Sequence, residues 1–115
     1  MKIRICGTDH RHAEVEVREL LSLSEDELPG ALRQLNDLDG VREAVILSTC
    51  NRFEVVYVGD GICNGEVFKL LGTWAGLPEA QLSSHLVEYT ADEAVRHLFR
   101  VSGSLESMVL GESQI

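Results

Sequence analysis

The sequence predicts an α+β domain: an antiparallel sheet with helices packed on one face, followed by a C-terminal helix and loop. Three observations carry this. Short alternating or branched apolar stretches at 2–6, 41–47, 53–58 and 85–89 read as strands. Between them, apolar residues recur at the spacings of one helix face. The two middle strands are separated only by the polar run Ser48-Thr49-Cys50-Asn51-Arg52, which is hairpin spacing, whereas the other gaps are long enough to hold helices.

The elements follow in order. Ile3 and Ile5 share one face of the first strand, Lys2–Cys6, and Gly7-Thr8-Asp9-His10 turns out of it. Ala13, Val17, Leu20 and Leu21 predict a short helix. Ser24 with Glu27 is a capping box ahead of Leu28, Leu32, Leu35 and Leu38. Pro29 removes a ladder donor anywhere beyond the first turn, so the helix proper begins near it, and Gly40 ends it. Val41–Leu47, short and branched, reads as a buried strand. Phe53, Val55 and Tyr57 alternate with Glu54, Val56 and Val58 in the second strand of the hairpin, which Gly59-Asp60-Gly61 closes. Val67, Leu70, Leu71 and Trp74 mark a helix that stops at Gly76 and Pro78. His85–Tyr89 is the last strand. Thr90 with Glu93 opens a helix to about Ser102, stopped by Gly103. The order β-α-β-β-α-β is the ferredoxin-like arrangement. Residues 105–115 have no clean period and end without a polar fade, which predicts that the chain is part of a longer one.

The 115 residues suit one domain. Ten basic against 19 acidic residues give a net charge of −9, which argues against a self-sufficient nucleic-acid binder and against a membrane-surface module. No apolar run approaches the ~20 residues of a spanning helix, and MKIRICGTDH is no signal peptide, so the expected compartment is the cytoplasm. Cys6, Cys50 and Cys63 are an odd count without C-x-x-C spacing, so neither a disulfide framework nor a structural zinc site is expected. There is no G-x-G-x-x-G and no P-loop.

The sharpest chemical feature is Ser48-Thr49-Cys50-Asn51-Arg52. A cysteine in a polar turn is accessible, a neighbouring guanidinium favours its thiolate, and the thiolate is the nucleophile. Thr49 and Asn51 offer hydrogen-bond donors, and Arg52 suits bidentate capture of a carboxylate. The bland alternative is a loop cysteine among solvated polar residues. His97, at the edge of the stripe Ala94, Leu98, Val101 and Leu105, reads either as a half-buried histidine with its tip in water or as an acid, base or orienting group for Cys50. His10-Arg11-His12 lacks a third metal ligand and reads as a solvated loop. His85 has no special role, and Cys6 and Cys63 read as packing or loop thiols. Ser24-Glu25-Asp26-Glu27 suits a helix N-terminus rather than a catalytic carboxylate pair.

At these residues a resemblance enters. Leu47-Ser48-Thr49-Cys50-Asn51-Arg52 closely resembles the signature of the glutamyl-tRNA reductase family. So do Ala94-Val95-Arg96-His97-Leu98-Phe99-Arg100-Val101 and the stretch from Leu105 to Ile115, and Glu16-Val17-Arg18-Glu19 resembles the family's amino-terminal block. The resemblance runs along essentially the whole chain. It implies that residues 1–115 are the amino-terminal catalytic domain of a longer enzyme, whose NADPH-binding and dimerisation domains lie elsewhere. It implies reduction of glutamyl-tRNA(Glu) to glutamate-1-semialdehyde, the first step of five-carbon tetrapyrrole synthesis, through a thioester on Cys50. Arg52 then binds the glutamate side, Thr49 and Asn51 lie in the same substrate loop, and His97 matches a histidine important for activity. Ser107, Glu112, Ser113 and Gln114 match further substrate-contacting positions. NADPH is the implied cofactor, with no residue of this chain assigned to it, and no metal is expected. The implied partners are the tRNA, a second copy in a homodimer and the downstream aminomutase; no membrane is implied. Two departures stand out: His12-Ala13-Glu14 replaces the family's Thr-Ala-Pro, and Ser113 replaces a proline. The competing reading is a non-enzymatic relative that binds a regulator or partner protein. With a net charge of −9, tRNA affinity is expected from other domains or from a local patch such as Arg52, Arg96 and Arg100.

Overall fold

A four-stranded sheet holds the chain together, with two short helices in each long connection and one long helix after the last strand. The computed structural model describes residues 2–49, 51–59 and 64–112, with side chains from residue 104 onward outside that description. In order the elements are β1 (Lys2–Asp9), α1 (Val15–Leu21), α2 (Leu28–Asn36), β2 (Val41–Ser48), β3 (Arg52–Gly59), α3 (Asn64–Ala75), α4 (Glu79–Ser83), β4 (Val87–Thr90) and α5 (Ala91–Glu112). The sheet order is β2-β3-β1-β4 and every pairing is antiparallel. The β2–β3 hairpin places β3 between β1 and β2, as the predicted element order requires.

Register decides which face each residue serves. Cys6 lies opposite Val55. These two, with Phe53 and Tyr57, face a core made by Leu21 of α1, Leu35 of α2, Val67 and Leu71 of α3 and Leu82 of α4. The intervening residues look the other way: Ile5 opposite Val56 and Gly7 opposite Glu54. That second face is covered by α5, whose Ala94, His97 and Val101 are buried. The expectation of helices on one face therefore holds for the first four, and α5 closes the sheet from the opposite side. The apolar Ile5, Val56 and Val58 on that face are what it covers.

Three local expectations are corrected. Val41–Leu47 is not a buried strand: β2 is the sheet edge, none of its residues is fully buried, and Val45 is 61% exposed. Branched residues signal extended backbone, not position in the sheet. Gly103 does not stop α5, which continues to Glu112. A glycine ends a helix when it adopts a left-handed conformation, as Gly76 does after α3 with φ of 72°. Inside a helix it costs only about 1 kcal/mol against alanine. Finally, α4 was not anticipated, and β4 begins at Val87, two residues beyond His85. The start of α2 is as read: Pro29 lies in its first turn, and the Glu27 carboxylate accepts the Ser24 backbone N–H at 2.9 Å.

Candidate active site

Antiparallel pairing of Asp9 with Arg52 brings the end of β1 beside the start of β3. The β2–β3 turn and the loop leaving β1 therefore meet at one end of the sheet. The turn is built by Thr49. Its N–H donates to the Arg52 carbonyl at 2.8 Å, and its Oγ1 accepts the backbone N–H groups of Asn51 and Arg52, each at 3.2 Å. The His10 N–H donates to the Asn51 carbonyl at 2.9 Å, tying the loop to the turn. Over this end lies α5, and between the three runs a cleft of about 320 Å³, lined by His10, Arg11, Arg52, His97, Arg100 and Val101.

Beneath the cleft is a buried carboxylate. Glu54 is 4% exposed; its Oε2 lies 2.5 Å from His97 Nε2 and its Oε1 is 3.4 Å from Arg52 Nη1. An ionised carboxylate only accepts, so the Nε2–H of His97 donates to it, and in the neutral ring Nδ1 is left as the acceptor. That Nδ1 is buried and has no hydrogen-bond partner among the described residues. The imidazole also stacks on Tyr89, with ring centroids 4.1 Å apart and planes 15° from parallel. His97 is thus 2% exposed, not half-buried with its tip in water as the bland reading had it. One carboxylate fixes the orientation of both an arginine and a histidine. Changing it through Glu54→Gln keeps an acceptor for His97 but turns an amide N–H₂ toward a guanidinium. Urea denaturation should show a loss of about 2 kcal/mol, the scale of a hydrogen bond to a charged group.

The loop leaving β1 is organised by Asp9, which is 3% exposed. Its carboxylate accepts the Arg11 backbone N–H at 2.9 Å, the Arg11 guanidinium at 3.1 Å and His12 Nδ1–H at 2.7 Å. Burial raises its pKa, but the hydrogen bonds from His12 and Arg11 outweigh this and lower it from 3.8 to about 2. A depressed folded-state pKa stabilises the fold above the unfolded value and loses that contribution as pH falls through the folded one. Between pH 4 and pH 2 this group should withdraw about 2 kcal/mol. Urea melts across that window should show the loss in the wild-type chain and a shallower dependence in Asp9→Asn.

Of the residues singled out in the sequence, Arg52 and His97 meet in this cleft, and Thr49 and Asn51 form the turn beside it. Cys50 and Cys63, like Ser113 and Gln114, lie outside the described residues. Ser107 and Glu112 fall on the far part of α5, where no side chain is described. Arg100 of the expected basic patch lines the cleft; Arg96 is exposed and is not part of the lining. His10-Arg11-His12 is exposed, as the solvated-loop reading expects, and His10 and Arg11 also line the cleft. His85 sits near His12, its Nδ1 3.4 Å from the His12 carbonyl oxygen. Cys6 is fully buried, and that burial, with the nearby Glu88 carboxylate, pushes its thiol up, which makes it a packing residue. Sequence reasoning missed Asp9, Glu54 and Tyr89. Glu54 carried a signal: it is the one acid on a strand face otherwise made of Val56 and Val58. Among the described residues no group of three potential ligands could hold a metal ion, and no helix is long and apolar enough to cross a membrane.

Fold and cleft together define an α+β domain with a cationic cleft beside a cysteine-bearing turn. Residues 6–115 match the family model described as glutamyl-tRNAGlu reductase, N-terminal domain. The chain is 44% identical to the glutamyl-tRNA reductase of Paenibacillus macerans, 45% to that of Syntrophotalea carbinolica and 47% to that of Desulforudis audaxviator. Each alignment covers 100% of this chain and 26–27% of the relative, so the chain spans about a quarter of the length of the proteins it matches. The chain belongs to the glutamyl-tRNA reductase family and corresponds to the N-terminal domain of these enzymes.

Proposed function

We propose that this chain is the thioester-forming part of a cytoplasmic, NADPH-dependent reductase that converts glutamyl-tRNA(Glu) to glutamate-1-semialdehyde. The observation that carries the reading is the cleft itself, in which Arg52 and His97 stand over one buried carboxylate beside the turn that contains Cys50. In this reading the Cys50 thiolate attacks the aminoacyl carbonyl. A carbon–sulfur bond forms, the carbon–oxygen bond to the terminal ribose breaks, and the ribose oxygen leaves with a proton. Arg52 holds the side-chain carboxylate of the glutamyl group, and Glu54 keeps the guanidinium aimed. His97, with Nε2–H committed to Glu54, has Nδ1 free to hold or pass that proton.

Reduction of the thioester needs a hydride, supplied by NADPH in this reading, and the residues of this chain do not fit that cofactor. Among the described residues the sheet is antiparallel throughout and has no crevice between parallel strands of the kind that receives a dinucleotide. The contribution of the chain therefore ends at the acyl-enzyme. Ser107, Glu112, Ser113 and Gln114 join the substrate contacts, and the full-length protein works as a homodimer near the aminomutase that takes its product.

The test is mass spectrometry of the chain after mixing with glutamyl-tRNA and no reductant. The expected result is a glutamyl adduct on Cys50 that water slowly removes. No adduct and no Cys50-dependent deacylation would favour the regulator- or partner-binding module instead.

A further inference from the structure

The cleft holds more positive charge than the glutamyl group uses. Its lining contains three arginines and two histidines and no acid, in a chain where acidic residues outnumber basic ones 19 to 10. Two of those arginines are answered from within the protein: Arg11 by Asp9 at 3.1 Å and Arg52 by Glu54 at 3.4 Å. Arg100, exposed on α5, has no hydrogen-bond or ion-pair partner among the described residues. An unpaired guanidinium on the wall of a cleft is an anion site.

The chemistry of the substrate says which anion. Once glutamate is esterified, its α-carboxyl is consumed and only the side-chain carboxylate remains, which Arg52 takes in the reading above. The next anion is one ribose away from the ester: the 5′-phosphate of the terminal nucleotide. We propose that Arg100 binds this phosphate and thereby sets the position of the acceptor end over the Cys50 turn. The inference rests on the glutamyl-tRNA reading and extends it to a second contact in the same cleft. Such a contact positions the RNA without reading its sequence. A phosphate on the dinucleotide is the other source of the same chemistry, so the experiment runs without NADPH.

Acylation of Cys50 by glutamyl-tRNA is followed in the wild-type chain and in Arg100→Gln, Arg100→Lys and Arg33→Gln. Arg33 is exposed on α2, outside the cleft, and controls for the lost charge. Arg100→Gln should slow acylation about tenfold and should flatten the dependence of log rate on log salt by about 0.7, the effect of one single-strand phosphate contact. Arg100→Lys should recover most of the rate, and Arg33→Gln should match wild type. Adenosine 5′-monophosphate should inhibit the wild-type reaction more strongly than adenosine does, and this difference should vanish in Arg100→Gln. An unchanged rate in Arg100→Gln overturns the phosphate site, and so does a slower rate with an unchanged salt slope. If the wild-type chain takes no acyl group from glutamyl-tRNA, it is the parent reading that fails.

Discussion

On the proposed reading, Cys50→Ser should abolish the acyl adduct expected from glutamyl-tRNA, lowering the rate of acyl transfer by at least about a thousandfold. Serine preserves the size and polarity of the side chain but replaces a group that ionises near neutrality with one that does not. Alkylation followed by peptide mapping gives the companion measurement. On the proposed reading Cys50 should label rapidly in the native chain. Cys6 provides an internal control: it is fully buried, its thiol is shifted upward, and it should label only when the chain unfolds. Equal native labelling of the two would remove the physical support for Cys50 as nucleophile.

Gly7→Ala should destabilise the fold by about 3 kcal/mol or more, with a fall in Tm of roughly 10–20 °C. Gly7 sits in the middle of the sheet, opposite Glu54 on one side and Val87 on the other. A Cβ there would meet the Phe53 carbonyl oxygen at 2.1 Å and the Glu54 Cα at 2.7 Å. Both are backbone atoms of β3, so no side-chain rotation relieves the clash and the strands must separate. They would separate at Glu54, the residue that holds Arg52 and His97. Whatever fraction of the variant folds should therefore also acylate poorly, whereas a purely thermodynamic defect would leave the folded fraction fully active. Thermal melts give the first quantity, and Cys6 labelling at low temperature reports the unfolded population.

How much of this was legible in the residues differs from element to element. Phe53, Val55 and Tyr57 announce the inner face of β3 by alternation, and burial bears this out, because a period of two can be satisfied only by a strand with one face in a core. The hairpin follows from the short polar gap, and with it the place of Thr49, Asn51 and Arg52 in one turn. The start of α2 at Pro29 follows from a missing N–H. These are local facts, set by a few neighbouring residues. The site was legible in a different way: the run around Cys50 and Arg52 drew attention by chemistry, and His97 by its type and its place at the edge of a stripe. Neither clue says that Arg52 and His97 share a carboxylate 43 residues from His97.

What the sequence determined by itself was the four strands, four of the five described helices, their order, the family and the residue types that carry the chemistry. Each of these rests on local propensity, short-range spacing or motif. Only the tertiary structure decided that α5 lies on the opposite face of the sheet from the other four helices, that β2 is an edge, and that Arg100 lines the cleft while Asp9 and Glu54, outside its lining, pair with Arg11 and Arg52. Those outcomes depend on which strands become neighbours and in what register. Pairing Gly7 with Glu54 and Asp9 with Arg52 turns a lone acid on a valine-rich strand into the floor of a site, beside which Arg100 stands without a partner among the described residues.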